Sequence, residues 1–170
     1  MLDKKNRRPI IYMAGPLFNQ AERSYNIYLK HLVEETCDVY LPQEDGLLIT
    51  DLIKSGMSGE QASLAVFKND INAIHRCDLL LILLDGRAVD EGAAVELGYA
   101  YCLGKLCISL QTDFRRLAPF GNNPMIAGAV SHSFSSAEEL VTWLRAYTRV
   151  NAAIHVGHEN RLPRFPDTAG

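Results

Sequence analysis

The sequence predicts an α/β protein: a doubly wound sheet of five parallel strands with helices on both faces. Three observations lead there. Short apolar runs alternate along the chain with longer stretches of helical spacing. One run, Leu79 to Leu84, is apolar at every position, as a parallel strand covered on both sides requires. Turn residues, Gly15 with Pro16 and Asp85 with Gly86, stand after the first and third of these runs.

The elements follow in order. "RPIIYMAGP" reads as a short buried strand closed by Gly15 and Pro16. "NQAERSYNIYLKHLVEE" has helical spacing, with Tyr25, Tyr28, Leu29 and Leu32 on one face and Asn19 as its N-cap. "DVYLPQ" is the second strand. Residues 43–60 mix glycines with polar residues and read as a loop with one helical turn. "SGEQASLAVFKNDINAIHRC" is the next helix, with its buried face expected at Leu64, Phe67, Ile71 and Ile74. "DLLLILLD" is the central strand, and a glycine-bearing loop and a helix follow it. "KLCISLQ" is the fourth strand, "TDFRRLAPFGNNP" a polar loop, and "AVSHSF" a short fifth strand. "SAEELVTWLRAYTRV" is an amphipathic helix with Ser136 as its N-cap. With this alternation the strand order is expected to be 2-1-3-4-5, the flavodoxin-like arrangement. In such a sheet the site lies outside the carboxyl ends of the strands, near the switch between strands one and three. Those ends carry "YMAGPLF" and "DGRAVDEG".

The 170 residues divide into a single domain over 1–150 and a polar, proline-bearing tail over 151–170. A net charge of −3 argues against a nucleic-acid or anionic-membrane partner, because those surfaces need clustered Lys and Arg. The basic "KKNRR" at Lys4 to Arg8 reads as a solvated arm. No apolar run approaches the roughly 20 residues of a membrane-spanning helix, and no secretory leader is visible. Cys37, Cys77, Cys102 and Cys107 match neither a zinc nor a C-x-x-C spacing; Cys77, Cys102 and Cys107 read as buried thiols. A reducing, cytoplasmic setting is expected.

The common cofactor and nucleophile motifs are missing. There is no phosphate-binding P-loop, no G-x-G-x-x-G after the first strand and no G-x-S-x-G elbow. The five histidines do not stand at metal-ligand spacing with Asp or Cys. No metal and no cofactor is therefore expected.

Carboxylates remain. Asp85, Asp90 and Glu91 lie after the third strand, and each has a plain structural role open to it as a turn residue, a helix cap or a partner of the helix dipole. Glu96 is harder to place that way. It sits among Ala93, Ala94, Val95, Leu97, Gly98 and Ala100, on a helix that must pack closely on the sheet. A carboxylate there costs several kcal/mol unless it is paired or faces a cleft. Asp70 stands one residue from Ile71, and pattern alone favours a solvated boundary position for it.

"IIYMAGPLF", "KNDINAIHRCD", "DGRAVDEGAAVELGYA" and "NNPM" together resemble the nucleoside 2-deoxyribosyltransferases, over roughly residues 9 to 130. The most specific part is D-x-G-x-x-x-E-L-G-Y-A from Asp90 to Ala100. The resemblance implies transfer of a 2-deoxyribosyl group between nucleobases through a covalent glycosyl-enzyme. It makes Glu96 the nucleophile, Asp70 the base-facing acid and Tyr12 the residue that touches the nucleophile. Asp90 falls on the family's second aspartate, expected to hold a sugar hydroxyl. Gly15, Phe18, Asp85 and Gly92 fall in the segments that surround the substrate. Asn123 and Met125 fall on a segment that reaches a neighbouring subunit's site, so a homo-oligomer is expected. The partners implied are nucleosides and free nucleobases.

Two alternatives stand beside this reading. An N-glycosidic hydrolase of nucleosides or their 5′-monophosphates would use the same glutamate with water as acceptor. "TDFRR" at Thr112 to Arg116 could then hold the phosphate, although an exposed basic turn is the preferred explanation of it. A nucleotide-sensing module would need the pocket but not the nucleophile.

Overall fold

The computed structural model describes residues 7–113 and 122–156, with backbone alone for 151–156. Twelve elements follow in the order β1 (Ile10–Ala14), α1 (Gln20–Val33), β2 (Asp38–Tyr40), α2 (Pro42–Asp45), α3 (Ile49–Lys54), α4 (Gly59–Arg76), β3 (Leu79–Leu83), α5 (Glu91–Cys102), β4 (Leu106–Leu110), α6 (Pro124–Ala129), β5 (His132–Phe134) and α7 (Ala137–Val156). The five strands are all parallel, in the order β2-β1-β3-β4-β5. This is the expected flavodoxin-like sheet.

The central strand explains the layering. All five residues of β3 are buried. Leu79, Leu81 and Leu83 enter one apolar cluster with Leu29 and Val33 of α1 and Leu140 and Leu144 of α7. Leu80 and Ile82 enter a second cluster on the other face, with Ala73 and Ile74 of α4 and Ala93, Leu97 and Ala100 of α5. The two-residue period of a strand sends alternate side chains to opposite faces, so an apolar run throughout is what a doubly covered strand needs. Burial stabilises by about 2 kcal/mol per such side chain.

Local signals set the helix starts. Asn19 accepts a hydrogen bond from Glu22 N, and the Glu22 carboxylate returns one to Asn19 N, a complete capping box. Ser58 and Gln61 do the same for α4. Ser136 Oγ accepts from Glu139 N at 3.2 Å.

Several expectations are corrected. Residues 43–60 do not form a loop with a single turn; α2 and α3 both lie there. Pro42 stands at the first turn of α2, where its missing N–H costs nothing. On α4, Leu64 and Phe67 are 50% and 56% exposed, whereas Ala62, Ala73 and Ile74 are buried. The reason is length: eighteen residues of helix run about 27 Å, well past a strand of five. Only the C-terminal half of α4 reaches the sheet cluster. On α1, Leu29 is buried but Tyr28 is half exposed. Cys77 and Cys107 are buried as expected, but Cys102, expected to be buried too, is exposed. The basic arm is docked where it is described. Arg7 donates to both oxygens of Asp78 at 2.7 Å, and Arg8 donates to the carbonyls of Glu34 and Cys37 below α1. Helix α7 continues to Val156, so the expected start of the tail at 151 falls inside it, and 157–170 lie outside the described residues.

The first loop leaves β1 at Gly15. A Cβ there would stand 3.0 Å from Leu83 Cβ, at the carboxyl end of β3. Gly15→Ala is therefore expected to cost about 1–3 kcal/mol, the usual effect of overpacking. Urea unfolding of the two proteins at neutral pH measures it. After β3, Gly86 has φ 125°, a left-handed conformation that favours glycine.

Candidate active site

The site is assembled where β1, β2, α4 and α5 meet. Tyr12 lies on β1, wholly buried, on the face covered by α4 and α5. Parallel pairing sets Tyr40 of β2 beside it in register. The two rings stack with centroids 5.3 Å apart and planes 17° from parallel. Helix α5 brings Glu96 to the same place. Asp90 caps that helix by accepting from Ala93 N at 2.8 Å, and Ala93, Leu97 and Ala100 form the buried face that sets its rotation. Glu96 is then half-buried at the edge of that face, and Tyr12 Oη donates to Glu96 Oε1 at 2.6 Å.

Burial raises the Glu96 carboxyl to about 7; the Tyr12 hydrogen bond pulls it back, while the negative charges of Asp70 and Asp90 push it further up. Tyr12 itself is driven far above the ordinary phenol range, first by burial and then by the charge of Glu96 and the bond to it. It is a fixed neutral donor. Asp70, on α4, is also raised, chiefly by burial, with hydrogen bonding from Asn69 and Tyr40 acting in the opposite direction. Its Oδ1 is buried, with no hydrogen-bond partner among the described residues. Asp70 is thus a boundary residue, half-buried as the pattern suggested, but with one oxygen shut off from solvent. A buried acceptor without a partner costs about 1–3 kcal/mol, which is tolerable where a ligand supplies the missing bond.

The other expected residues fall as follows. Asp85 has both oxygens engaged by the chain: Oδ1 accepts from Thr112 N and Asp113 N, at 2.7 and 2.8 Å, and Oδ2 from Thr112 Oγ1 at 2.8 Å. It ties the loop after β3 to the loop after β4. Gly92 lies in the first turn of α5, where a Cβ would stand 3.2 Å from Asp90 Oδ1. Asn123 caps α6 by accepting from Met125 N at 2.9 Å. Phe18 and Met125 are 76% and 81% exposed. Of the basic "TDFRR" turn, residues 114–116 lie outside the described residues.

Two site residues were missed by sequence reasoning. Tyr40 and Asn69 are joined by a 2.7 Å bond from Asn69 Nδ2 to Tyr40 Oη. The signal for Tyr40 was its place at the end of "DVY", one strand over from Tyr12; only the register reveals the pairing. Asn69 directly precedes Asp70.

A family model described as nucleoside 2-deoxyribosyltransferase matches residues 11–143. Among solved structures, a conserved protein from Enterococcus faecalis V583 is 30% identical with a TM-score of 0.71, covering 83% of this chain and 99% of that one. The 2-deoxyribosyltransferase of the psychrotolerant Bacillus psychrosaccharolyticus is 24% identical, TM-score 0.68, covering 82% and 95%. The CMP N-glycosidase BcmB of Clostridium botulinum is 23% identical, TM-score 0.52, covering 81% and 98%. The latter two likenesses, at these identities, establish the shared fold. No curated protein matches the chain.

Proposed function

The chain belongs to the nucleoside 2-deoxyribosyltransferase family, and on that premise we propose that it moves a 2-deoxyribosyl group from one nucleobase to another through a covalent bond to Glu96. The observation that carries this reading is the Tyr12–Glu96 hydrogen bond, 2.6 Å long, beside a second half-buried carboxyl, Asp70, whose Oδ1 has no partner among the described residues. One carboxylate is oriented as a nucleophile, and the other is free to face a base.

The steps follow from those two groups. Ionised Glu96 attacks C1′ of the sugar. The bond from C1′ to the base nitrogen breaks through an oxocarbenium-like transition state, as in retaining glycosidases. The bonding electrons go to the base, which takes a proton from Asp70. A second base, deprotonated by the same Asp70, then attacks C1′ and frees Glu96. The cycle is ping-pong. Tyr12 orients Glu96 and restrains its basicity. Asp90, while capping α5, is placed to hold a sugar hydroxyl. A 2′-hydroxyl withdraws electrons from the cation, so a 2′-deoxy sugar reacts more readily. Gly92 keeps a side chain from crowding Asp90 Oδ1, and Gly15 lets the first loop pass close to Leu83. Phe18 and Met125 would bear on the base, and Asn123 with Met125 on a neighbouring copy's site. The wide exposure of Met125 supports that last role.

Incubation with 2′-deoxyinosine, with and without adenine, tests the reading. Formation of 2′-deoxyadenosine only when adenine is present is the expected result. Hypoxanthine with free deoxyribose, unchanged by adenine, would make the protein an N-glycoside hydrolase. An absence of turnover with purine, pyrimidine and 5′-monophosphate donors alike would favour a sensing role.

Tyr12→Phe removes a bond that stabilises ionised Glu96, so the Glu96 carboxyl must rise further. The variant is expected to need a higher pH to reach its maximal rate, with the acid side of the kcat/KM profile displaced by about one pH unit. An unmoved profile would remove Tyr12 from this role.

A further inference from the structure

The site contains two tyrosines, and the reaction above uses only one. Tyr40 stacks on Tyr12. Asn69 Nδ2 donates to Tyr40 Oη at 2.7 Å. A phenol has one hydrogen, and with its oxygen already accepting from Asn69 that hydrogen is left to donate elsewhere. Asn69 and Asp70 are adjacent on α4, and Asp70 lies close enough to Tyr40 for its charge to act on the ring hydroxyl.

We propose that Tyr40, steered by Asn69, is the positioning residue of Asp70, as Tyr12 is of Glu96. The inference rests on the transferase reading for its purpose but not for its geometry. The hydroxyl is placed to donate to one oxygen of the Asp70 carboxylate, which leaves the other to meet the base. The two carboxyls then have one tyrosine each, and the stack of the two rings fixes their separation.

The groups that face this pair come from every element around it. Glu96 approaches from α5 and Tyr12 from β1; each is sensitive to the charge of Asp70. Asp45 of α2 and Arg76 of α4 act on Tyr40 with opposite signs. The hydrogen bonding of Tyr40 and Asn69 favours the charged form of Asp70 against its burial. Its removal must therefore raise the pH at which Asp70 takes up its proton.

The test is a carbon-13 NMR titration of the aspartate side-chain carboxyls in the full-length protein, with Asp70 identified by the signal lost in Asp70→Asn. Tyr40→Phe, which keeps the stacked ring, is expected to move the Asp70 midpoint up by about one pH unit, the worth of one hydrogen bond to a charged group. Asn69→Ala is expected to move it in the same direction. Tyr12→Phe should move Asp70 less than Tyr40→Phe does. An Asp70 midpoint unchanged in both Tyr40→Phe and Asn69→Ala overturns the proposal. The titration needs no turnover, so a wild-type protein that fails to exchange bases would count against the transferase reading and leave this result standing by itself.

Discussion

Glu96→Gln is expected to lose base exchange by at least roughly 10³-fold, as loss of a covalent nucleophile does, and to be more stable than the wild type above neutral pH. Both effects have one cause. The Glu96 carboxyl ordinarily titrates near 4.5, and burial moves it to about 7 in the fold. A carboxyl raised in this way favours folding in its protonated form. Its contribution is fully present below the unfolded value, near 4.5, and is lost as the pH rises through about 7. Glutamine never ionises and loses nothing. After allowance for its partial exposure, the wild type is expected to be weaker than the variant by on the order of 2 kcal/mol at pH 8, with the gap closing towards pH 4.5. Urea unfolding at both pH values measures it. A gap that does not depend on pH would mean that Glu96 is not held in the environment described here. The stability sacrificed is the counterpart of keeping a carboxylate where it can attack.

Asp70→Asn is the second large effect. Proton donation to a departing base by a placed side chain is worth about 10²–10⁴-fold, and the variant should lose transfer from 2′-deoxyinosine by that amount. The loss should depend on the leaving group. A 2′-deoxynucleoside whose base is already cationic departs without a proton, and for it the variant should fall within about tenfold of wild type. Steady-state rates on the two donors separate this role from a structural one. An equal loss on both would mean that Asp70 only holds the site together.

The architecture was legible because each strand announces itself. The run from Leu79 to Leu84 allows little else than a strand buried on two faces. Asn19 and Ser136 mark helix starts that the capping bonds bear out. What failed was anything that depends on how far an element extends beyond its partners. The stripe through Leu64 and Phe67 is real as a pattern, but α4 outruns the sheet and leaves those residues half exposed. The helices at Pro42 and Ile49 are too short to show a period.

The candidate site divides the same way. Glu96 was visible because a charge among small apolar residues is costly. Its tie to Tyr12 came from the resemblance, and the geometry puts numbers on it. Tyr40 was hidden, since no sequence period connects residues on adjacent strands. Asp70 read as a boundary residue because one helical face does not reveal a tyrosine on the neighbouring strand. Asp85 carried the opposite lesson. A carboxylate in a loop at the right end of the sheet drew a functional reading, yet Thr112 and Asp113 already hold both of its oxygens.

The central claim is that Glu96 carries the sugar. Mixing the protein with 2′-deoxyinosine in the absence of acceptor, quenching in acid and mapping the peptides by mass spectrometry tests it directly. A mass increase of one 2-deoxyribosyl group is expected on the peptide that contains Glu96, absent from Glu96→Gln and discharged by added adenine. Base exchange that proceeds with no such adduct, or with the adduct on another residue, would contradict it.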